Sequence, residues 1–303
     1  MEMALLLLRQ IGLMFVLICI GFIFYRKQMI SDKGSEDLSR ILLNLVVPVV
    51  IINNLWIERT AERTGELLQS SLLACICMAA ALLVSKLVFG KKNGIAEFSS
   101  SFSNAAFMGI PLITAVCGSE AVFYVSAFIV LINALQWTLG AVMLTGDRSL
   151  MKPAKVIRNP IVISVAVGLL LYILNLPKPV FVQNVFTTII GMNTPLAMIV
   201  SGVFLANSDL MKIFGKKNIW LVSLIRLVVI PVLTLVLLKI TPVGTQVMKT
   251  AVMICAACPV GSNVAVFARL YGKDDTEAVE YVCVTTILSL LTLPVAVMAV
   301  NML

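Results

Sequence analysis

Two stretches of this chain place asparagine, glycine and proline inside apolar sequence. The first is Asn104 followed by Gly109-Ile110-Pro111, and the second is Cys258-Pro259-Val260-Gly261-Ser262-Asn263. Proline lacks an amide donor and clashes with the preceding turn, and a membrane tolerates the freed backbone groups only against protein or a wet cavity. Both helices are expected to break near the bilayer midplane. Each break presents one half-helix N-terminus of partial positive charge and one set of unpaired carbonyls. Two breaks meeting head to head would offer amides to an anion and carbonyls to a cation. Simple proline kinks are the competing reading, and the recurrence of the pattern beside an asparagine favours a binding site.

Asn104 and Asn263 are candidate substrate ligands that also read as interhelical glue, worth about 1 kcal/mol each. Asn133 and Gln136 lie one turn apart and read equally as cavity lining and as packing. Arg226 is the one basic residue near the middle of an apolar run. It reads equally as a charge that attracts an anion and as a cation paired with carbonyls or an acid. Glu97, Glu120, Asp147, Asp209, Glu277 and Glu280 fall near the ends of apolar runs and the chain has no histidine, so a buried proton relay has little support. Cys255-x-x-Cys258 has no second pair and reads as small packing residues rather than a metal or redox site. No cofactor or metal is expected, and a coupling Na+ or H+ stays open.

The elements that must position these residues follow from composition. Of 303 residues, 60% are hydrophobic and 13% charged, with a mean hydropathy of +1.04. Soluble domains are about half apolar and a quarter charged. Apolar runs near the ~20 residues needed to cross a bilayer recur at 4–25, 36–57, 65–89, 95–117, 119–145, 156–176, 181–206, 217–240, 247–271 and 275–301. Ten such spans leave only loops, which excludes a soluble catalytic or nucleic-acid-binding domain. The net charge of +8 sits in those loops. Sixteen of the 23 basic residues lie in the odd-numbered connections, six on the opposite side, and Arg226 lies within a span. The positive-inside rule then places both termini outside the cytoplasm. The first helix, opening with Glu2 and followed by no small-residue cleavage site, reads as retained. The seven cysteines lie in or beside spans, against a disulfide framework.

Ser119-Glu-Ala-Val-Phe-Tyr-Val125 returns as Thr276-Glu-Ala-Val-Glu-Tyr-Val282, and Ser103-Asn104-Ala105-Ala106 as Ser262-Asn263-Val264-Ala265. The expected fold is therefore an all-α membrane protein of about ten transmembrane helices, built as two five-helix repeats, 1–145 and 146–303, with spans 4 and 9 broken and crossing. Because five is odd, the second repeat would be inverted.

At these residues the sequence resembles the auxin efflux carrier family, which includes the plant PIN-formed carriers. Asn104, Met108, Gly109, Ile110, Pro111 and Leu112 match its N-x-x-x-M-G-I-P-L pattern, and Ile157-Arg158-Asn159-Pro160 its I-R-N-P. Pro48, Arg226 five residues before Pro231, Pro259-x-Gly261 and Val266-Phe267-Ala268-Arg269-x-Tyr271 also correspond. The resemblance implies a bile-acid-symporter-like fold, with spans 1, 2, 6 and 7 as scaffold and spans 3–5 and 8–10 as a core that carries substrate in an elevator motion. It also implies that Asn104 contacts the substrate carboxylate beneath crossing prolines Pro111 and Pro259. The plant carriers have a long hydrophilic segment after span 5. Here that connection is only about Gly146 to Lys155, as in compact prokaryotic relatives associated with malate, malonate and other small carboxylates.

The expected activity is secondary transport of a small organic anion, by export or uniport, with no enzymatic chemistry. Sodium- or proton-coupled symport is the alternative within that class, and a carboxylate receptor or sensor the alternative outside it. The expected site comprises Asn104, Gly109, Pro111, Gln136, Arg226, Pro259, Gly261, Ser262 and Asn263. The expected surroundings are a prokaryotic inner membrane and no nucleic acid, with a homodimer left open.

Overall fold

The computed structural model describes residues 2–150, 158, 160–206, 215–300 and 302. Lys152, Lys155, Ile157, Asn159, Asp209 and Lys212, singled out above, lie outside the described residues. Among the described residues, all regular elements are helical. In chain order the main ones are α1 (Glu2–Arg26), α2 (Asp32–Leu55), α3 (Ala61–Val88), α4 (Gly94–Ser101), α5 (Ala105–Cys117), α6 (Ser119–Thr145), α7 (Pro160–Leu174), α8 (Val180–Ala206), α9 (Lys217–Ile240), α10 (Gln246–Ala257), α11 (Asn263–Leu270) and α12 (Thr276–Val300). Six of these, α2, α3, α6, α8, α9 and α12, are long and apolar enough to cross a membrane. With the two parts of α8, Val180–Ile190 and Asn193–Ala206, taken as one span, three spans, an interrupted pair and one more span occur in that order twice. Leu68, Leu87, Phe181 and Leu291 are among many large apolar side chains exposed on the outside, as lipid contact requires.

Small residues set the close helix crossings. In lipid, helices gain little by hiding apolar surface from one another, so backbones must approach to gain dispersion contacts. Helix α1 packs along the second half of α8, Asn193–Ala206, and α7 packs along Val47–Leu55 of α2. A Cβ on Gly202 would lie 2.1 Å from the Ile18 carbonyl oxygen, and one on Gly21 would lie 2.2 Å from that of Ile199. Gly202→Val is therefore expected to cost about 1–3 kcal/mol by overpacking. That would lower the melting midpoint by several degrees in detergent. Gly65→Ala, with nothing within 4 Å of the added carbon, should leave the midpoint unchanged or higher.

Several prolines sit inside helices without breaking them. Pro294 lies within the α-helical run of α12, and three others follow a π-helical segment: Leu42–Val46 precedes Val47-Pro48, Ala105–Gly109 precedes Ile110-Pro111, and Ile225–Val229 precedes Ile230-Pro231. The wider turn accommodates the missing donor and the ring. The interruption in span 4 consequently falls at Phe102–Asn104 and not at Pro111, which differs from the sequence expectation. In span 9 it falls at Cys258–Ser262, around Pro259, as expected.

The repeated Glu-Ala-Val-x-Tyr motif lands at comparable positions. At the start of α6, Arg63 Nη2 of α3 donates to Glu120 Oε2 (3.2 Å), and Tyr124 Oη donates to Glu66 Oε1 (3.1 Å). At the start of α12, Lys216 Nζ donates to both oxygens of Glu280 (2.5 and 2.7 Å), and Asn93 Nδ2 donates to Glu277 Oε1 (3.0 Å). Between α7 and α8, Lys178 Nζ donates to the Asn53 carbonyl (3.1 Å) and to Asn53 Oδ1 (2.9 Å), which ties that loop to α2. Burial pulls this ammonium below the usual lysine range.

Candidate functional site at the helix crossing

The two interruptions meet. Phe102 leaves α4 in an extended conformation (φ −114°, ψ 116°), and Cys258 leaves α10 at φ −56°, ψ 149°. Ser103 and Val260 then form an isolated antiparallel bridge. The Asn104 amide donates to the Pro259 carbonyl (2.8 Å), the Gly261 amide to the Phe102 carbonyl (3.0 Å), and the Val260 amide to Thr285 Oγ1 of α12 (3.1 Å). The residue types fit these roles. Pro259 has no donor to leave unpaired, so only its carbonyl needs a partner. A Cβ on Gly261 would lie 3.1 Å from the Ser103 carbonyl oxygen, tight enough to push the two segments apart.

The four half-helices point in complementary senses. Helices α4 and α10 end at the crossing, while α5 and α11 begin there. Arg226, 1% exposed, lies at the ends of the first two. Its Nε donates to the Cys258 carbonyl (3.1 Å), its Nη1 to that of Ser100 (3.2 Å), and its Nη2 to that of Ala256. Of the two readings left open for Arg226, the geometry holds the carbonyl pairing.

On the other side of the crossing lies a cavity whose polar lining comprises Ser103, Asn104, Asn133, Gln136, Gly261 and Asn263. Leu43 of α2 and Ile161 of α7 close it from the facing helices. Its volume is about 20 Å³. That is room for about one water molecule. The Asn263 amide nitrogen donates to Gln136 Oε1 (3.2 Å), and Asn133 Nδ2 donates to the Ile129 carbonyl of its own helix (2.8 Å). The Asn104 carboxamide, 5% exposed, caps no amide of α5, and no hydrogen bond joins it to another described residue. Ala105, Ala106 and Phe107 also line the cavity, so the first-turn amides of α5, which have no acceptor within the helix, lie at its wall. With the start of α11 beside them, two half-helix N-termini of roughly half a positive charge each act on this space. No ionisable side chain lines it among the described residues.

Of the nine residues expected to form the site, Asn104, Gln136, Gly261 and Asn263 meet at the cavity. Pro259 holds the crossing through its carbonyl. Gly109 faces away: a Cβ there would meet the sulfurs of Cys255 and Cys258 at 3.5 and 3.6 Å. Pro111 and Ser262 are buried beside the cavity without lining it. Sequence reasoning missed Ser103, whose buried hydroxyl has no hydrogen-bond partner, and Thr285. For Ser103 the signal was its place beside Asn104 in the repeated Ser-Asn motif, and for Thr285 there was none.

A family model described as a membrane transport protein matches residues 7–297 of this chain. The chain is also similar to a protein of Rhizobium meliloti (strain 1021) named "Putative malonate transporter". The two are 25% identical over 226 residues, covering 70% of this chain and 70% of that protein.

Proposed function

The chain belongs to the membrane transport protein family, that of the auxin efflux carriers, and from that premise we propose that it carries a small organic anion through the membrane by way of the crossing cavity. It is an integral membrane protein, and a transporter of this kind acts on a small substrate within the bilayer. The observation that carries the proposal is Asn104, which lines a cavity walled by half-helix N-termini and whose carboxamide makes no hydrogen bond to another described residue. Such a wall recognises a carboxylate through neutral donors and fixed dipoles. A short dicarboxylate such as malonate is the substrate class of choice, as the name of the Rhizobium meliloti relative suggests.

The cavity is too small for such a substrate as it stands, so transport requires it to open. It lies where α5, α6, α11 and the two interruptions before α5 and α11 face α2 and α7. Sliding of a core (α3–α6 with α9–α12) against a scaffold (α1, α2, α7, α8) would open it without undoing the crossing. The two halves, 1–145 and 146–303, would then be inverted copies, and both termini would lie outside the cytoplasm. Membrane-impermeant thiol labelling of a cysteine tag beyond Leu303 should succeed from the periplasmic side, and labelling only from inside would refute that topology. The transport reading itself is tested by counterflow in proteoliposomes with radiolabelled malonate, malate and monocarboxylates. Accumulation of at least one of these supports the reading, and binding of carboxylate without flux would make the protein a receptor.

A further inference from the structure

Arg226 heads the largest fully buried side chains of the described residues, yet it forms no ion pair with a carboxylate there. An unpaired charge in so dry a place costs several kcal/mol unless something compensates it. The compensation comes from carbonyls at the last turns of two half-helices, α4 and α10. Each such end carries roughly half a negative charge on carbonyls that no amide in the helix can reach. Two ends therefore sum to about one negative charge, which the single guanidinium cancels. The N-termini of α5 and α11 are left as the field acting on the cavity. In transporters with broken helices, unwound carbonyls and half-helix C-termini are also the groups that coordinate a coupling sodium ion.

We propose that Arg226 is a tethered substitute for that ion: its guanidinium occupies the carbonyl site a coupling cation would fill and makes the anion cavity independent of sodium. Arg226 touches no substrate. It is a positioning residue that sets the sign of the cavity by silencing the opposite ends of the crossing. The inference rests on the carrier reading for its consequence in transport, but its structural part is tested without transport.

The experiment is thermal melting of the purified protein in detergent, with choline chloride replaced in steps by sodium chloride or by low-millimolar methylguanidinium chloride. The wild-type midpoint should ignore both replacements. Arg226→Ala should melt lower and recover saturably with methylguanidinium, and in part with sodium, because ligands that bind only the folded state raise its stability. Methylguanidinium that shifts neither protein, or shifts both alike, overturns the proposal. If Arg226→Ala yields no monodisperse protein, Arg226→Lys and Arg226→Gln are compared in proteoliposomes. The lysine variant keeps the charge and should move carboxylate equally well in choline and sodium. The glutamine variant should gain about ten-fold in flux with sodium, the size of an ordinary coupling between two ligands. Equal sodium responses of the two variants overturn the proposal, since a merely structural arginine predicts no sodium response in either. A wild-type protein that moves no carboxylate in either salt would sink the carrier reading while leaving the melting result to decide this one.

Discussion

Asn104→Ala is expected to weaken carboxylate binding by about 10- to 100-fold and to leave the melting midpoint unchanged or slightly raised. The size follows from the loss of one hydrogen bond to a charged group, about 1.5–3 kcal/mol, at 1.4 kcal/mol per decade of affinity. The sign of the stability effect is the sharper part. The backbone amide of Asn104 ties the crossing to Pro259, and alanine keeps that amide. The side chain makes no bond to another described residue, so its removal costs the fold no hydrogen bond among them. Removing it deletes a donor for the substrate while sparing the contacts of the fold, which is the behaviour expected of a binding residue. An asparagine serving as interhelical glue behaves oppositely, with its removal costing about 1 kcal/mol of stability and no affinity. Calorimetric titration with malonate and a melting curve on the same sample separate the two. A lower midpoint with unchanged affinity would return Asn104 to packing.

Much of this architecture is legible in the sequence because a bilayer imposes run lengths. The runs at 119–145 and 217–240 coincide with Ser119–Thr145 and Lys217–Ile240. The break in span 9 is equally legible, since Pro259 and Gly261 act locally on the backbone. The break in span 4 is not, because Phe102-Ser103-Asn104 contains neither proline nor glycine. That segment is extended because it pairs with Pro259 and Gly261, more than 150 positions away. The visible signal, Pro111, misleads because the π-helical turn before it absorbs the lost bond. The partners of Arg226 are invisible for a different reason: they are backbone carbonyls, which every residue possesses. Serine and threonine within apolar helices usually bond back to their own turn, as Ser100 and Ser126 do here, so nothing marks Thr285 as a cap for the crossing.

Net carboxylate flux is expected to follow membrane potential and to reverse when the potential is reversed, with no sodium or pH gradient present. The cavity lining holds no titratable side chain among the described residues, so no proton has a carrier at the proposed substrate site. The buried acid Glu97 lies in the first turn of α4, and Glu280 follows the first turn of α12; neither lines the cavity. The half-helix dipoles and the Arg226 charge belong to the protein. If the core slides, they move out with the loaded carrier and back with the empty one, so their contributions cancel over a cycle. What remains is the charge of the anion. A monovalent anion then gains about 2.3 kcal/mol per 100 mV on leaving a negative-inside compartment. At 1.36 kcal/mol per decade that sustains a gradient of about fifty-fold. A divalent anion would square it. Proteoliposomes loaded with radiolabelled malonate and clamped by potassium and valinomycin read this directly. Efflux with the interior negative, uptake with it positive, and indifference to sodium are the expected results. Flux that ignores the potential and demands a sodium or pH gradient would mean that a cation travels with the substrate. In that event carbonyls of the crossing around Pro259 that the Arg226 guanidinium does not engage would have to hold it.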